Sequence, residues 1–388
     1  GEFFDALSMH ILKREYRIIM DGIGSITIEI RPRLQICNAF IQLLSKDKIE
    51  TNEAQIKLSE DSITLLLKNE IVNIFLKFIQ ISPCSISALS VKNNWISFHV
   101  NMKSHSSFGS FNTGLVTNHM PKIPFLSKTL HSTKFLEDHN CVILCSCCKN
   151  SISKKLHFER VLPLPDSDYD PSEWFCCRHD NNNVGISLSP KESDLLYGPF
   201  FVVVHINVIT SNISADNNTL ICTRCLQHLG QGRKNSYQLW NSCIAYELLK
   251  SATVQPATDP LKDFFIAFNT QATGSFGEEI IFQNLAQKED HFLLLKPMDW
   301  NLDLIVEPCA FDNTDHISLK KISVIKILYK YITNKNSIPS NSWTIKYCDV
   351  SLYIIQAGLK HLLSIFYSKI KCSIYILLTH VILTYASL

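Results

Sequence analysis

No charge of either sign dominates this chain. Its 37 Lys/Arg are set against 35 Asp/Glu, a formal net charge of +2 over 388 residues. A nucleic-acid binder normally carries a basic face or stripe that neutralises phosphates, so this balance argues against direct nucleic-acid binding. The N-terminus, Gly1-Glu-Phe-Phe-Asp-Ala6, has neither an initiator Met nor the basic-then-apolar run of a secretory signal. It reads as the open end of a fragment. No repeat of fixed period is evident, nor any G-x-x-x-x-G-K-[ST] phosphate loop. No H-E-x-x-H pair and no ordered Ser/His/Asp set marks a hydrolase. The last segment, Cys372–Leu388, is apolar but just short of the ~20 residues that span a bilayer. It reads as a buried C-terminal element or an atypical tail rather than an anchor, so no membrane partner is expected.

Strand signals prevail in the rest of the chain. Ser25–Ile30 alternates small or polar with apolar residues, the period of a half-buried strand. A second apolar stretch, Leu34 to Leu44, follows the Arg31-Pro-Arg break. Ser62–Leu67 and Trp95–Val100 also read as strands, as does Ile71–Phe78, where a helix is an alternative. Polar, Ser-bearing residues 101–120 read as a loop. Phe200–Ile209 is a nearly continuous apolar run, which suggests a strand buried on both faces. Ser211–Thr219 reads as a polar turn, and Tyr237–Leu249 as strand or short helix. Phe264–Phe268, His291–Leu295 and Leu302–Val306 are further strand candidates, the last following a turn at Pro297-Met-Asp-Trp. Ile317–Tyr331 places apolar residues between Lys320, Lys321, Lys326 and Lys330, which predicts an amphipathic helix with a solvated lysine face; E2 docking is the alternative use of that face. Asp299 and Asp303 read as surface carboxylates, and Gly230-Gln-Gly232 as a turn.

The fold class expected is mixed but predominantly β (α+β). Residues 1–130 form a β-rich N-terminal domain and 131–235 a zinc-knuckle and partner-binding segment. Residues 236–353 form a β-rich C-terminal region with a helix, and 354–388 an atypical apolar tail.

More than half of the 14 cysteines fall between Cys141 and Cys225. Without a secretory signal, C-x-x-C pairs read as metal ligands rather than disulfides, in a reducing compartment, cytoplasm or nucleus. There the glycosylation-type sequences at Asn212 and Asn217 carry no meaning. Two cysteines separated by two residues turn both sulfurs to one side of a tight knuckle. Cys145/Cys148 and Cys222/Cys225 supply two such knuckles, enough to close a tetrahedral zinc shell. The interval between them, residues 149–221, is long, but loop-closure cost grows only logarithmically, by roughly 0.6 kcal/mol per doubling. With four protein ligands no position stays open for water, so this zinc is structural. The alternative is a set of buried free thiols. Cys176, Cys177 and His179 are candidates for part of a second metal site.

Several motifs occur here in the order characteristic of one family. They are Cys145-x-x-Cys148, Arg160-Val-Leu-Pro163-Leu-Pro165, Glu173-Trp174-x-Cys176 and Cys222-x-Arg-Cys225. The chain resembles the HECT-like E3 ubiquitin ligases, also called ubiquitin-conjugating-enzyme-binding proteins, over roughly residues 25–353. Weaker similarity lies at Ile28-Glu-Ile-Arg-Pro-Arg-Leu-Gln35 and Asn336-Ser-Ile-Pro339-Ser. The resemblance implies a protein that binds a ubiquitin-charged E2, accepts ubiquitin and passes it to lysines on substrates or on itself, with cyclin B the associated substrate type. Val324 stands where the family has a C-terminal cysteine. Cys309 and Cys348 lie near that match without a catalytic motif, so no nucleophile is assigned.

The resemblance implies a second role. In the family, the segment carrying Pro163, Pro165, Trp174 and Cys176 is similar to one that plugs the active site of a metallo-β-lactamase-fold RNA endonuclease of pre-mRNA 3′-end processing. An exposed thiolate is a strong zinc ligand and displaces the hydrolytic water, with Trp174 as its apolar anchor. Either Cys176 or Cys177 can present the outward sulfur, and a buried Trp174/Cys176 pair is the alternative.

Overall fold

The structure, a computed structural model, describes residues 23–31, 34–43, 55–67, 70–92, 94–103, 134–137, 139–164, 190–216, 218–233, 235–275, 277–285, 290–306, 317–333, 338, 345–369 and 379–384. The chain divides into two compact units. The first takes Gly1–Pro121, Pro297–Leu328 and Leu362–Leu388, the second Lys122–Lys296 and Tyr329–His361.

The first unit opens with β1 (Ile23–Arg31) and β2 (Ile36–Leu43), an antiparallel pair in which Ile28 faces Ala39. A meander follows: β3 (Gln55–Leu58), β4 (Ser62–Leu67) and β5 (Glu70–Phe75). Then β6 (Ser87–Lys92) and β7 (Trp95–Asn101) return, and β7 pairs with β2. Ile26, Ile28, Ile41, Phe98, Ile63, Leu65 and Ile74 form one buried cluster. Each such side chain contributes about 1.5–3 kcal/mol of burial. β1 is buried on both faces rather than one, because Ser25, Thr27 and Glu29 on its polar face are also covered. Of the Ile71–Phe78 stretch, Ile71–Phe75 is strand, as β-branched residues favour, and Lys77 and Phe78 form a turn.

The second unit begins with β8 (Cys141–Cys145) and β9 (Arg160–Pro163), then β10 (Asp194–Tyr197) and β11 (Phe201–His205). Val202, Val203 and Val204 are consecutive and all buried, in keeping with a strand covered on both faces. β12 (Ile213–Asp216) and β13 (Thr219–Cys222) form a hairpin where a polar turn was expected. Among the described residues of that stretch, turn is confined to Ser211, Asn212 and Asn218, and exposed Ser214, Ala215 and Asp216 follow from β12 being a sheet edge. β14 (His228–Arg233) carries Gly230 and Gly232 within a strand rather than a turn. Gly230 serves close packing there: a Cβ would lie 1.9 Å from the Gln238 carbonyl oxygen. β15 (Ser236–Trp240) and β16 (Ile244–Leu248) settle the ambiguous Tyr237–Leu249 stretch as two strands. The sheet order is β12-β13-β14-β15-β11-β10-β9, and β17 (Thr253–Pro256) joins β16 and β8 in a smaller sheet.

Phe264–Phe268 is helical, not extended, within α1 (Pro260–Gln271). The Asp259 side chain caps the Leu261 N–H at 3.0 Å and Pro260 occupies the first turn, two start signals that outweigh an aromatic run. Phe264, Ala267 and Phe268 then share one buried face at helical spacing.

β18 (Glu279–Leu285) pairs with the first half of β19 (Asp290–Val306). Pro297–Trp300 lies inside that 17-residue strand instead of forming a turn, and β19 passes from the second unit into the first. The segment predicted as an amphipathic helix is β20 (Ile317–Ser318) and β21 (Lys320–Ile332). The β-branched side chains of this stretch explain the difference. Val324, Ile325, Lys326 and Ile327 are buried in succession, which a one-faced helix does not allow. β22 (Ile345–Asp349) runs parallel to β18, and α2 (Leu352–Lys369) and β23 (Thr379–Thr384) follow. Among the described residues, no helix is long and apolar enough to cross a membrane. Most of the 101–120 loop and the Cys309 position lie outside the described residues.

Candidate metal centre

Two knuckles of the same design bring four cysteines together. β8 ends on Cys145, and the Cys145 N–H donates to the Asn150 carbonyl at 2.8 Å while the Lys149 N–H donates back to the Cys145 carbonyl at 2.9 Å. β13 ends on Cys222 with the same pair of bonds one hairpin over: Cys222 N–H to Gln227 and Leu226 N–H to Cys222, each at 2.9 Å. The turn needs a left-handed residue four positions after the first cysteine, and both knuckles supply one, Lys149 at φ 59° and Leu226 at φ 60°. Neither is the Gly or Asn that usually marks such a position.

The four sulfurs lie within 4.8 Å of one another. Cys145 and Cys225 approach to 3.6 Å, as do Cys148 and Cys222. Four sulfurs each ~2.3 Å from a common centre sit about 3.8 Å apart at tetrahedral corners, whereas a disulfide needs about 2.05 Å. The spacing fits a shared cation and not a bridge. The thiols of the cluster differ, Cys145 and Cys225 being raised by burial and Cys222 lowered. Burial pushes the Cys145 thiol up to about 11 although the N–H groups of Cys148 and Cys147 point at it. Burial also works against ionising Cys222, but the N–H groups of Cys225 and Arg224, with Cys148 and Asn150, hold it at about 7. Four inward sulfurs with the backbone N–H groups of each knuckle turned toward them suit a group that arrives with positive charge.

The other cysteines are disposed differently. Burial raises Cys141 to about 11, and Cys37, Cys243 and Cys348 each to about 12, so these thiols stay protonated at neutral pH. Cys84 and Cys147 are exposed. Val324 is fully buried.

Of the predicted partner-binding residues, Pro163 is exposed at the end of β9, while Pro165, Trp174 and Cys176 lie outside the described residues, as do Cys177 and His179. β9 and β10 nonetheless pair in parallel, Arg160 opposite Asp194 and Pro163 opposite Tyr197, so the intervening stretch leaves and rejoins one sheet edge. Sequence reasoning quoted Arg160 as part of a motif but missed its partner. Its guanidinium meets Asp194 twice, Nε to Oδ1 at 2.9 Å and Nη2 to Oδ2 at 2.6 Å. Two lysines predicted for a solvated helix face are paired instead, Lys326 with buried Glu29 at 2.6 Å and Lys321 with Asp303 at 2.9 Å. The signal available was the acidic residue on β1, whose alternation places Glu29 on the same face as Ser25 and Thr27.

A family model described as HECT-like ubiquitin-conjugating enzyme (E2)-binding matches residues 29–366. Over 93 residues the chain is 31% identical to an E3 ubiquitin-protein ligase of Mus musculus, covering 24% of this chain and 25% of that protein. The same figures hold for the ligase of the same name from Rattus norvegicus. The similarity thus spans 25% of the length of the curated relatives. No solved structure matches the chain significantly.

Proposed function

The chain belongs to the HECT-like ubiquitin-conjugating enzyme (E2)-binding family, and from that premise we propose that it is an E3 ubiquitin-protein ligase that binds a ubiquitin-charged E2. The observation that carries this reading is the extent of the match, residues 29–366, which runs from β1 into α2 and includes both units. Ubiquitin then passes to lysines of a substrate, cyclin B among the candidate types, or of the ligase itself. Incubation with E1, E2, ATP and ubiquitin, resolved with and without reductant, tests it. The reading expects ubiquitin conjugates that depend on the protein. Their absence with every E2 of a representative panel contradicts it.

The four thiolates at Cys145, Cys148, Cys222 and Cys225 would hold one zinc ion, a set of soft, closed-shell donors for which zinc is the usual occupant. Bound there, the ion supplies cross-linking between two hairpins and no chemistry. The high thiol pKa values of Cys37, Cys141, Cys243 and Cys348 speak against any of these four as an acceptor of ubiquitin.

A second reading, a binding partner of the metallo-β-lactamase-fold nuclease of pre-mRNA 3′-end processing through Trp174 and Cys176, draws support from the β9–β10 pairing, which tethers both ends of that stretch at a sheet edge. Pull-down of the nuclease with Cys176→Ala and with Cys177→Ala tests it, and unchanged capture by both variants removes it. Either role is compatible with a nuclear and cytoplasmic protein.

A further inference from the structure

A cavity of about 230 Å³ opens within the second unit, between the β13–β14 hairpin and the β18–β22 pair. Its floor comes from the parallel pairing of β18 with β22, which sets Gln283 beside Asp349. Its wall comes from the start of β13 and from β14, with Trp240 at the end of β15.

The cavity has an unbalanced charge. Among the described residues that line it, Asp349 is the one carboxylate and none is a lysine or arginine. Gln283 Nε2 donates to Asp349 Oδ1 at 2.8 Å, and among the described residues the second oxygen has no hydrogen-bond or ion-pair partner. His228 does not supply the missing cation. Its Nε2 donates to the Gly230 carbonyl at 3.1 Å and its Nδ1 accepts from Asn284 at 3.3 Å, an arrangement that fixes the neutral ring. Asn218, Thr219 and Gln231 also line the cavity, side chains that carry neutral acceptor oxygens. The remaining lining is the half-exposed Leu285 and the edge of Trp240, which is almost wholly buried with His228 edge-on to its ring at 4.6 Å.

We infer that this cavity receives the side chain of a lysine from a bound polypeptide, with Asp349 as its counter-ion. A volume of about 230 Å³ is below the ~300–1,000 Å³ of cofactor and drug-sized sites and suits one long side chain. The half-exposed Leu285 flanks the methylene stem. The three N–H donors of an ammonium match one carboxylate oxygen and neutral oxygens. A guanidinium matches less well. Its fork binds both oxygens of a carboxylate, and Gln283 already occupies one of those of Asp349.

The test is an amide-resolved NMR titration of the full chain with Nα-acetyl-lysine methylamide, and with the norleucine and arginine analogues in parallel. The lysine compound is expected to give saturable shifts at Thr219, Gln283 and Asp349, with the norleucine analogue about tenfold weaker or worse, a loss of about 1.4 kcal/mol. Asp349→Asn is expected to weaken the lysine compound to the same degree. Equal binding of the norleucine analogue, tighter binding of the arginine analogue, or shifts that spare these residues overturn the inference. The ligand series uses the unaltered chain, so it decides even where the variant fails to fold. Ubiquitin transfer is no part of the readout, so this site and the ligase reading stand or fall separately.

Discussion

Arg160 and Asp194 are locked together across the parallel β9–β10 pair by two contacts, 2.9 and 2.6 Å, and the Lys191 N–H adds a third bond to the same carboxylate at 3.0 Å. The stretch between these residues contains Trp174 and Cys176. The Arg160 side chain holds the Asp194 carboxyl below the usual carboxylate range, against its burial. A depressed acid contributes stability that is complete above its unfolded value of about 3.9 and is lost as pH falls through the folded value. Asp194→Asn should therefore flatten the acid limb of a melting-temperature-against-pH curve below about pH 4. Limited proteolysis of Arg160→Ala should also cut faster within 165–189. An unchanged acid limb and an unchanged cleavage rate would remove this role.

Glu29 and Lys326 form a second pair, buried, at 2.6 Å. Burial works to raise the Glu29 carboxyl, but Lys326 and then Arg31 outweigh it and hold it below its ordinary value. Its contribution is likewise present above the unfolded pKa of about 4.3 and lost on acidification through the folded one. Breaking the pair with Lys326→Met leaves the buried carboxylate with the Arg31 contact at 3.3 Å and should cost up to about 3 kcal/mol by denaturant unfolding. Glu29→Leu combined with Lys326→Met should recover most of it. Additive losses in the double variant would show that the residues do not act as a pair.

Asp263, in the first turn of α1, has the opposite sign. Burial raises its carboxyl well above the ordinary value, and Thr258 Oγ1, which donates to Oδ1 at 3.1 Å, only partly offsets this. A raised acid favours the folded state below the unfolded pKa, and that advantage is lost as pH rises through the folded value. Asp263→Asn should remove this downward slope and gain on the order of 1 kcal/mol at neutral pH. Melts of both proteins from pH 4 to 8 check it; parallel curves would contradict it.

Gly230→Ala should destabilise by about 1–3 kcal/mol, since a methyl there meets the Gln238 backbone oxygen at 1.9 Å. Gly232→Ala, whose nearest neighbours stand at 3.6 Å, should be tolerated. Thermal melts of the two variants side by side decide the point, and equal losses would refute the steric account.

Much of the site was legible and less of the fold. The C-x-x-C spacing alone picked out Cys145, Cys148, Cys222 and Cys225, because a knuckle is a local device whose geometry is written in a few consecutive residues. Strands with period-2 or continuous apolar patterns, such as Ser25–Ile30 and Phe200–Ile209, were legible for the same reason. Ile317–Tyr331 was misread because its lysines fit a helical face, while Lys326 is in fact neutralised by Glu29, a partner far away in sequence. Phe264–Phe268 was misread because aromatic residues outweighed the Asp259-Pro260 start signal. The Asp349 cavity had no sequence signal at all, since β13, β14, β15, β18 and β22 each supply part of it.

We propose that the cysteine cluster and the ligase role are joined, a metal at the four cysteines holding the second unit of an E2-binding ligase. Cys222→Ser should lose the bound metal and the cooperative unfolding of that unit, at a cost of several kcal/mol. The most direct measurement is discharge of a ubiquitin-charged E2, followed with time for the unaltered protein, for Cys222→Ser and for protein stripped by a chelator, alongside elemental analysis of each. The account predicts about one zinc per chain in the unaltered protein, accelerated discharge with it, and loss of both together in the other two. A metal-free protein that discharges the E2, or full activity retained by Cys222→Ser, would contradict it.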